Sequence, residues 1–299
     1  MNKDINGFVV VNKPENITSA GVVNKVKKIF KVKKAGHTGT LDPFAKGVIV
    51  ICINKATKLA RFLLAGKKKY EAIVHLGIDT DTQDFTGTII KELSFDRITG
   101  GEIKAAFKKF EGIVSQKPPA YSALKYKGIP LYKYARAGEY IEKAARTIII
   151  EYIKVKEINL PFVSFEVFCS GGTYIRTLCS DVGALLGCGG HLKYLNRIES
   201  SGFSIDEAID ISDLEKIVLS GKELEVLVPM AKGLKDMPKF VADEVLCNKI
   251  KYGKKINKID IPFNDGDKKN NLLKVIDNKQ NLLAVLALNN ENYSYCCVI

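Results

Sequence analysis

Apolar and polar residues follow two periods along the chain, and the places where the period changes mark the predicted elements. The apolar runs GFVVVN (7–12) and GVIVICI (47–53) predict strands, the first of them buried. The segment 69–78 alternates between apolar and polar residues, as a strand with one buried face does. Two more strands are predicted within 147–170, divided by Pro161.

Helices are predicted where apolar residues recur every three or four positions. Ser19 is predicted to cap the first helix, whose apolar residues fall on one face with lysines opposite. The same spacing predicts helices at 55–65, 99–110, 174–187 and 212–220. The segment 190–204 mixes strand and turn signals.

Two segments depart from these periods. Residues 115–146 are irregular, basic and aromatic, and their length and Pro/Gly content predict a mobile loop. Beyond residue 238, short apolar runs separated by Asn- and Asp-rich turns predict a small β-rich appendage. We therefore divide the chain into a large domain, 1–238, and a small β-rich domain, 239–299.

The composition adds one unusual feature, a net charge of +13 over 299 residues. Both predicted domains share the excess of basic residues. A positive field favours encounters with polyanions such as nucleic acids, although lysines on solvated faces account for the charge equally well. The hydrophobic share of 46% is ordinary for a globular protein, so the core needs no disulfide or metal staples.

Several classes of protein are disfavoured. No stretch reaches the roughly 18 apolar residues of a membrane helix, and the start lacks the features of a signal peptide, so we expect a cytoplasmic protein without membrane contact. Seven cysteines without metal-ligand spacing predict free thiols, and three dispersed histidines do not indicate a metal site. Cys296 and Cys297 receive no role.

The segment GHTGTLDPFAKG contains the candidate chemistry. Gly36, Gly39 and Gly47 permit positive φ angles and close approach of a ligand. Pro43 fixes the chain after Asp42, and a carboxylate on such a stiff loop is positioned for covalent or acid–base catalysis. An Asp-Pro turn explains the same residues, and the local spacing alone favours that structural interpretation.

A longer match changes the balance. GHTGTLDPFAKGVIVICINKATKLARFL closely resembles the signature of the bacterial tRNA pseudouridine-55 synthase family (TruB type), in which G-H-x-G-x-L-D-P-x-A-x-G leads into an apolar strand and then A-T-K. Further segments resemble the family's motifs in the same order: GFVVVNKPENITS, KKYEAIVHLGIDTDTQDFTG, QKPPAYSALKYKGIPLYKYARAG, GTYIRTLCSDVG and GGHLKYLNRIESSGF. The resemblance covers about 7–238. Asn196 stands where the family usually has arginine, which leaves one phosphate contact or ion pair in question.

The resemblance implies an α+β fold with a mixed, largely antiparallel central sheet, flanking helices and a small C-terminal β-rich domain, PUA-like and RNA-binding. It implies that one uridine in the T stem-loop of tRNA, at position 55, becomes pseudouridine by cleavage of N1–C1′, rotation of the base and joining of C5 to C1′. Nothing is added or lost, so no cofactor or metal is expected. We also expect a monomer that requires no protein partner.

The resemblance assigns roles to six residues. Asp42 is the expected catalytic carboxylate, acting at C1′ or at C2′, and the sequence does not choose between these routes. Arg176 is expected to pair with Asp42, with Tyr174 packed beneath it. Tyr70 is expected to stack on the freed uracil and to help remove the C5 proton.

Leu195 is expected to line the base pocket, and His37, exposed on its loop, to displace the target nucleotide. Tyr70 and Leu195 could instead be ordinary core residues, Arg176 a surface arginine near the start of a helix, and His37 a histidine bonded to its own loop. In 117–146, lysines are expected to meet phosphates and tyrosines to stack on unpaired bases, ordering the loop on RNA, although an amphipathic flap with inward aromatics has the same pattern.

Three alternatives stay open. The same aspartate could hydrolyse the glycosidic bond and leave an abasic site. The chain could be an RNA-binding module with a relic site, although the intact Asp42, Tyr70 and Arg176 argue against it. It could also resemble the guide-dependent synthases of archaea and eukaryotes, but the 115–146 insertion and the modest tail favour the stand-alone bacterial form.

Overall fold

The computed structural model describes residues 5–262, 271–289 and 292–299. In the first half of the chain the elements are β1 (Gly7–Lys13), α1 (Ser19–Ile29), β2 (Ala35–His37), β3 (Lys46–Ile53), a 3-10 helix (Asn54–Leu59), α2 (Ala60–Leu64), β4 (Lys68–Leu76), β5 (Ile78–Thr80), β6 (Ile89–Glu92), α3 (Gly100–Lys108), β7 (Gly112–Gln116), β8 (Lys125–Tyr126), β9 (Ile129–Pro130) and α4 (Leu131–Arg136).

The remaining elements are β10 (Arg146–Asn159), β11 (Phe162–Cys169), α5 (Ile175–Leu186), β12 (Gly190–Ser200), β13 (Phe203–Ser204), a 3-10 helix (Ile205–Glu207), β14 (Ile209–Asp210), α6 (Ile211–Leu219), α7 (Met230–Gly233), β15 (Lys239–Val241), α8 (Glu244–Lys251), β16 (Ile256–Asn257), β17 (Leu272–Ile276), β18 (Leu282–Asn289) and β19 (Asn292–Val298). Within this part of the chain no helix is both long and apolar enough to cross a membrane.

A large mixed sheet forms the centre of the fold. Its order is β14-β1-β3-β12-β4-β11-β10-β7, with β2 paired to β3 and β13 paired to β12. The β1–β14 and β3–β12 pairs are parallel and the other pairs are antiparallel. The sheet, its flanking helices and the small C-terminal sheet confirm the predicted α+β class.

The continuous apolar pattern of β1 and β3 and the alternating pattern of β4 reflect how many faces of each strand are buried. Alternate residues of β1 and β3 pack on one side against α1 and α6, and the others face a second core cluster, so both strands are apolar throughout. In β4 the residues of one face pack with β11 and α5, while the other face is partly solvated. The alternation of apolar and polar residues in β4 therefore indicates a strand with a single fully buried face.

The insertion after β7 is more structured than its composition suggested. The antiparallel strands β7 and β10 bring its two ends together, with Gln116 opposite Arg146. Between them lie the β8–β9 hairpin and the short helix α4. The expectation of an irregular segment is wrong in this respect, because local turn residues and the buried Leu131 form short elements that periodicity does not detect.

The C-terminal strands form a separate sheet of order β15-β17-β18-β19-β16, with a core of its own under α8. This sheet also shares a core cluster with the large domain. Val285 and Leu282 pack in the same cluster as Phe8 and Val50 from β1 and β3, and Cys296 and Cys297 border it. The predicted β-rich module is therefore attached through a shared core, because it covers the second apolar face of β1 and β3.

Polar contacts reinforce the attachment. The buried ammonium of Lys274 donates to the carbonyl oxygens of Leu234 at 2.6 Å and Ala231 at 3.0 Å. Lys58 in the 3-10 helix after β3 donates to the carbonyl oxygen of Val298 at 2.8 Å. These bonds satisfy carbonyl groups at the contact, and together with the shared core they fix the C-terminal sheet against the large domain.

We expect the two parts to unfold in one transition. Val285 lies in the shared core and Val275 in the core of the C-terminal sheet, and both are fully buried. Each Val→Ala change removes two methyl groups and costs about 2 kcal/mol. Differential scanning calorimetry of Val285→Ala and Val275→Ala should show one peak at a lower temperature in both variants. Two peaks, only one of which moves in Val275→Ala, would contradict a shared core.

Candidate active site

The predicted catalytic loop runs from β2 to β3 and is hydrogen-bonded to the start of α1. The side chain of Ser19 accepts from the backbone N–H of Leu41 at 2.8 Å and donates to its carbonyl oxygen at 3.0 Å. Ser19 is therefore not the predicted helix cap; Thr18 caps α1 by accepting from Gly21 at 3.0 Å. The residue that precedes Asp42 is thus tied to the first turn of α1.

A fully buried lysine holds the other side of the loop. The ammonium of Lys13, at the end of β1, donates to the carbonyl oxygen of Pro43 at 3.1 Å and also to that of Ala45. Burial lowers the pKa of Lys13 to about 8, and Asp42 opposes this shift. The lysine thus ties the end of β1 to the segment that directly follows Asp42.

A second buried cation, Arg197 in β12, lies under the start of the same loop. Its guanidinium donates to the carbonyl oxygens of Val48 at 2.7 Å, Gly39 at 3.1 Å and Thr40 at 3.4 Å. Only 1% of Arg197 is exposed. A charge buried this deeply is tolerated because carbonyl dipoles surround it, so its partners also fix its geometry.

Two of the three loop glycines are required by the backbone. Gly39 and Gly47 have φ angles of 149° and 105°. A Cβ atom on Gly47 would lie 2.3 Å from the carbonyl oxygen of Arg197, because β3 and β12 approach closely there. Gly36 instead lies inside β2 and has no positive φ, so its backbone conformation does not require glycine.

Asp42 and Arg176 form a two-point ion pair. Arg176 Nε lies 2.9 Å from Asp42 Oδ2, and the Nη2 atom donates to Oδ1 at 3.3 Å. The arginine side chain is 5% exposed, whereas that of Asp42 is 29% exposed. The carboxylate is therefore held in one orientation and can still be reached from solvent.

Arg176 is itself fixed by three further groups. Its Nη1 atom lies 3.5 Å from Asp84 Oδ2 and donates to the carbonyl oxygen of Thr82 at 3.0 Å. Its Nη2 atom donates to the carbonyl oxygen of Tyr121 at 2.7 Å. The carboxylate of Asp84 is in turn held by the hydroxyl groups of Thr82, at 2.8 Å, and Thr86, at 2.6 Å. Arg176 thus connects the loop of Asp42 with the loop after β5 and with the insertion.

The environment of Asp42 shifts its protonation. Desolvation raises the pKa of its carboxyl group, and the nearby Asp84 adds to this, while Arg176 and Lys13 act in the opposite direction. Arg176 was expected to keep this group ionised, and its effect does favour the carboxylate. The balance nevertheless lies above the ordinary aspartate value of 3.8.

The raised pKa predicts a pH dependence. The carboxylate must be ionised to attack or to remove a proton, so activity should fall as pH decreases through the pKa of Asp42. Because that pKa is raised, the half-maximal point of the acid limb should lie above 3.8. Single-turnover rates measured against pH, with circular dichroism to verify folding, test this. An acid limb centred at or below the ordinary aspartate value would contradict it.

Tyr70 lies in the core cluster together with Leu195, which is 6% exposed, and with Leu41 from the loop. Tyr70 is 7% exposed, and burial raises the pKa of its hydroxyl group. A phenol that stays protonated is a poor acceptor for the C5 proton. The ring of a protonated tyrosine can still stack on a base.

Tyr174, which was expected to pack beneath Arg176, immediately precedes α5. Its ring faces Arg146, whose guanidinium carbon is 4.7 Å from the ring centroid. Its backbone is bracketed by the buried Gln116, which donates to the Tyr174 carbonyl oxygen at 3.0 Å and accepts from its N–H at 2.8 Å. Tyr174 thereby fixes the start of α5, two residues before Arg176, through its backbone.

His37 is partly buried in β2, so the expectation of an exposed loop histidine is wrong. Its Nδ1 atom accepts from the backbone N–H of Gly39 at 3.3 Å. Burial and the charge of Arg197 lower the pKa of His37, so the ring is neutral at physiological pH. Its contact with its own loop matches the structural interpretation and fixes the orientation of the ring.

The site includes residues to which the sequence assigned no role. Their side chains contact Arg176, the backbone of the loop that carries Asp42, or the backbone at the start of α5; they are Lys13, Ser19, Asp84, Gln116 and Arg197. Apart from Ser19, which was predicted to cap a helix, each lay inside a matched motif without a stated function. Asn196, whose substitution was in question, donates to Glu71 Oε2 at 3.2 Å.

Comparisons with known proteins agree on one family. Residues 27–175 match the TruB family pseudouridylate synthase (N terminal domain), and residues 176–235 match the tRNA pseudouridylate synthase B C-terminal domain. Neither match extends into the C-terminal sheet.

Individual relatives are similar over most of their length. "tRNA pseudouridine synthase B" of Alkaliphilus oremlandii (strain OhILAs) is 46% identical over 84% of this chain and 83% of its own. The protein of the same name from Clostridium tetani (strain Massachusetts / E88) is 41% identical over 91% and 92%. Among solved structures, a chain of the "Crystal Structure of a Cbf5-Nop10-Gar1 Complex" has a TM-score of 0.77 and 28% identity, covering 98% of this chain and 84% of that one.

Proposed function

Because the chain belongs to the TruB family of pseudouridylate synthases, we propose that it converts one uridine in the T loop of tRNA, at position 55, to pseudouridine, with Asp42 as the catalytic carboxylate. It is a tRNA pseudouridine synthase by family. The observation that supports Asp42 is its two-point contact with the buried Arg176 in a position that solvent still reaches.

The reaction needs a single carboxylate held in place. Asp42 attacks C1′, or removes a proton from C2′, and either step breaks the N1–C1′ bond. The freed uracil turns against the ring of Tyr70. C5 then bonds to C1′ as the ester bond between Asp42 and C1′ breaks, or as Asp42 returns the proton to C2′. The C5 proton passes to solvent and N1 takes one up, so the product has the same atoms as uridine. Lys13, Arg197 and Arg176 keep the loop and its carboxylate oriented throughout.

Three further roles are part of the proposal. Leu195 lines the base pocket beside Tyr70, Tyr174 supports the start of α5, and His37 displaces the target nucleotide from the T loop. The target base must leave its stack because C1′ and C5 cannot be reached inside folded RNA. A neutral, pre-oriented imidazole can occupy the vacated position without attracting the neighbouring phosphates.

The insertion and the C-terminal sheet are proposed to bind the rest of the tRNA. In the insertion, Lys143 lies 4.8 Å from the centroid of Tyr126, and Arg136 lies 5.6 Å from that of Tyr132, so cations and aromatic rings occur side by side. We propose that this segment orders further on RNA and that 239–299 is a PUA-like domain. We propose that the enzyme acts as a monomer in the cytoplasm without a protein partner.

The test is direct. A tRNA transcript treated with the purified protein should acquire pseudouridine at position 55, located by chemical mapping, with no change in RNA mass. A loss of mass equal to one uracil minus one water would instead show glycosidic hydrolysis. Unmodified RNA that is nevertheless bound tightly would favour an RNA-binding module. Conversion only in the presence of a guide RNA would favour the guide-dependent relatives.

A further inference from the structure

Two phenylalanines lie on the loops that carry Asp42 and Asp84, and neither has a role in the reaction described above. Phe44 comes two residues after Asp42, and Phe85 directly follows Asp84. Their ring centroids are 5.2 Å apart, with the planes at 73° in an edge-to-face arrangement. Phe44 packs against the core, whereas Phe85 is 43% exposed. Because Phe44 already restrains the ring of Phe85, this ring loses little conformational entropy when it stacks on a flat ligand.

The backbone beneath Phe85 is fixed. Its N–H donates to the carbonyl oxygen of Leu192 at 3.0 Å, and the N–H of Leu192 donates to that of Gln83 at 3.0 Å. These bonds join the loop after β5 to β12 on either side of Asp84, which is also bound to Arg176. The ring of Phe85 therefore has a set position relative to Asp42.

A cation accompanies the ring. The ammonium of Lys193, an exposed residue of β12, lies 5.0 Å from the centroid of Phe85. A cation–π contact at an exposed position is weak, so this ammonium can turn to a phosphate when one comes near. An exposed aromatic ring beside an exposed lysine can bind one nucleotide, with the base stacked on the ring and the phosphate paired with the ammonium.

We propose that Phe85, supported by Phe44, is a stacking site for the unpaired base next to the target uridine in the RNA, and that Lys193 binds the adjoining phosphate. The proposal rests on the proposed function, because it takes RNA as the substrate. Extrusion of the uridine removes the stacking partner of its neighbour. A ring one residue from Asp84 replaces that partner and holds the opened loop in the site.

Two substitutions separate stacking from packing. Phe85→Leu keeps an apolar side chain against Phe44 but removes the ring, and Phe85→Tyr keeps the ring. For a T stem-loop RNA, Phe85→Leu should raise Kd and KM about ten-fold, as loss of one stacked base does. Its single-turnover rate at saturating enzyme should stay close to that of the wild type. Phe85→Tyr should retain wild-type Kd.

Phe168 offers a matched control. Its ring lies 5.5 Å from the ammonium groups of both Lys67 and Lys69, and it is partly exposed. It faces away from the core side of the sheet, because its neighbour Val167 is in the core. Phe168→Leu therefore removes a similar cation–aromatic cluster outside the site, and Kd should not change.

A fluorescent base identifies the contact. With 2-aminopurine in place of the base on either side of the target, wild type and Phe85→Tyr should quench one of the two probes on binding, and Phe85→Leu should not. Equal Kd for wild type and Phe85→Leu, or equal quenching by both, would overturn the stacking site. If the wild type forms pseudouridine, the proposed function stands whether or not the stacking site is overturned. If the wild type forms none, the proposed function itself is contradicted.

Discussion

Asp42→Asn should abolish pseudouridine formation while leaving RNA binding intact. The amide has the volume of the carboxylate, and its oxygen still accepts from Arg176, but it neither attacks C1′ nor removes a proton. We expect the single-turnover rate to fall about 10³-fold or more, as for loss of a nucleophile or general base. Affinity for tRNA should be unchanged or tighter, because one negative charge is removed from the neighbourhood of the phosphates.

The interpretation depends on a folded variant. Arg176 keeps Asp84 as an ionic partner in Asp42→Asn, so the arginine is not left as an unpaired buried charge. Asp213→Asn serves as the control, because it removes one carboxylate from an exposed i,i+3 pair with Lys216 on α6. Its activity should equal that of the wild type. Pseudouridine formation by Asp42→Asn at a wild-type rate would remove the basis of the proposed mechanism.

The sequence predicted those parts of the fold whose cause is local. The strand of 7–12 and the helix of 99–110 appear nearly as predicted, because each buries a face that its own periodicity reveals. The docking of the C-terminal sheet was missed for the opposite reason. An apolar run such as β3 shows that both faces are covered, but it does not identify what covers each face.

At the site, the sequence predicted residue identities better than contacts. The Asp42–Arg176 pair, which joins residues 134 positions apart, followed from a long motif match and not from spacing. Arg197 and Lys13 were missed because their partners are backbone carbonyl oxygens, which have no signature in the side-chain pattern. The contact of the Tyr174 ring with Arg146 was not predicted for a related reason, since it depends on how β10 packs against the start of α5.

Arg176→Lys should be nearly as damaging as the loss of Asp42, although it preserves the charge. The guanidinium contacts both oxygens of Asp42 and also Asp84 and the carbonyl oxygens of Thr82 and Tyr121. A single ammonium cannot reach these groups together, so buried acceptors lose their donors and the carboxylate is released from its two-point contact.

Misplacement of a reacting group by about 1 Å costs on the order of 10²-fold in rate, so kcat should fall at least about that much, with a smaller change in KM. An ammonium that no longer contacts both oxygens of Asp42 opposes the desolvation of this group less effectively, which raises the pKa of that carboxyl group further. The acid limb of the pH–rate profile should therefore move to higher pH in Arg176→Lys. Arg97→Lys, at an exposed loop position, should change neither quantity. A pH profile identical to that of the wild type, with kcat retained, would show that the guanidinium does not position Asp42.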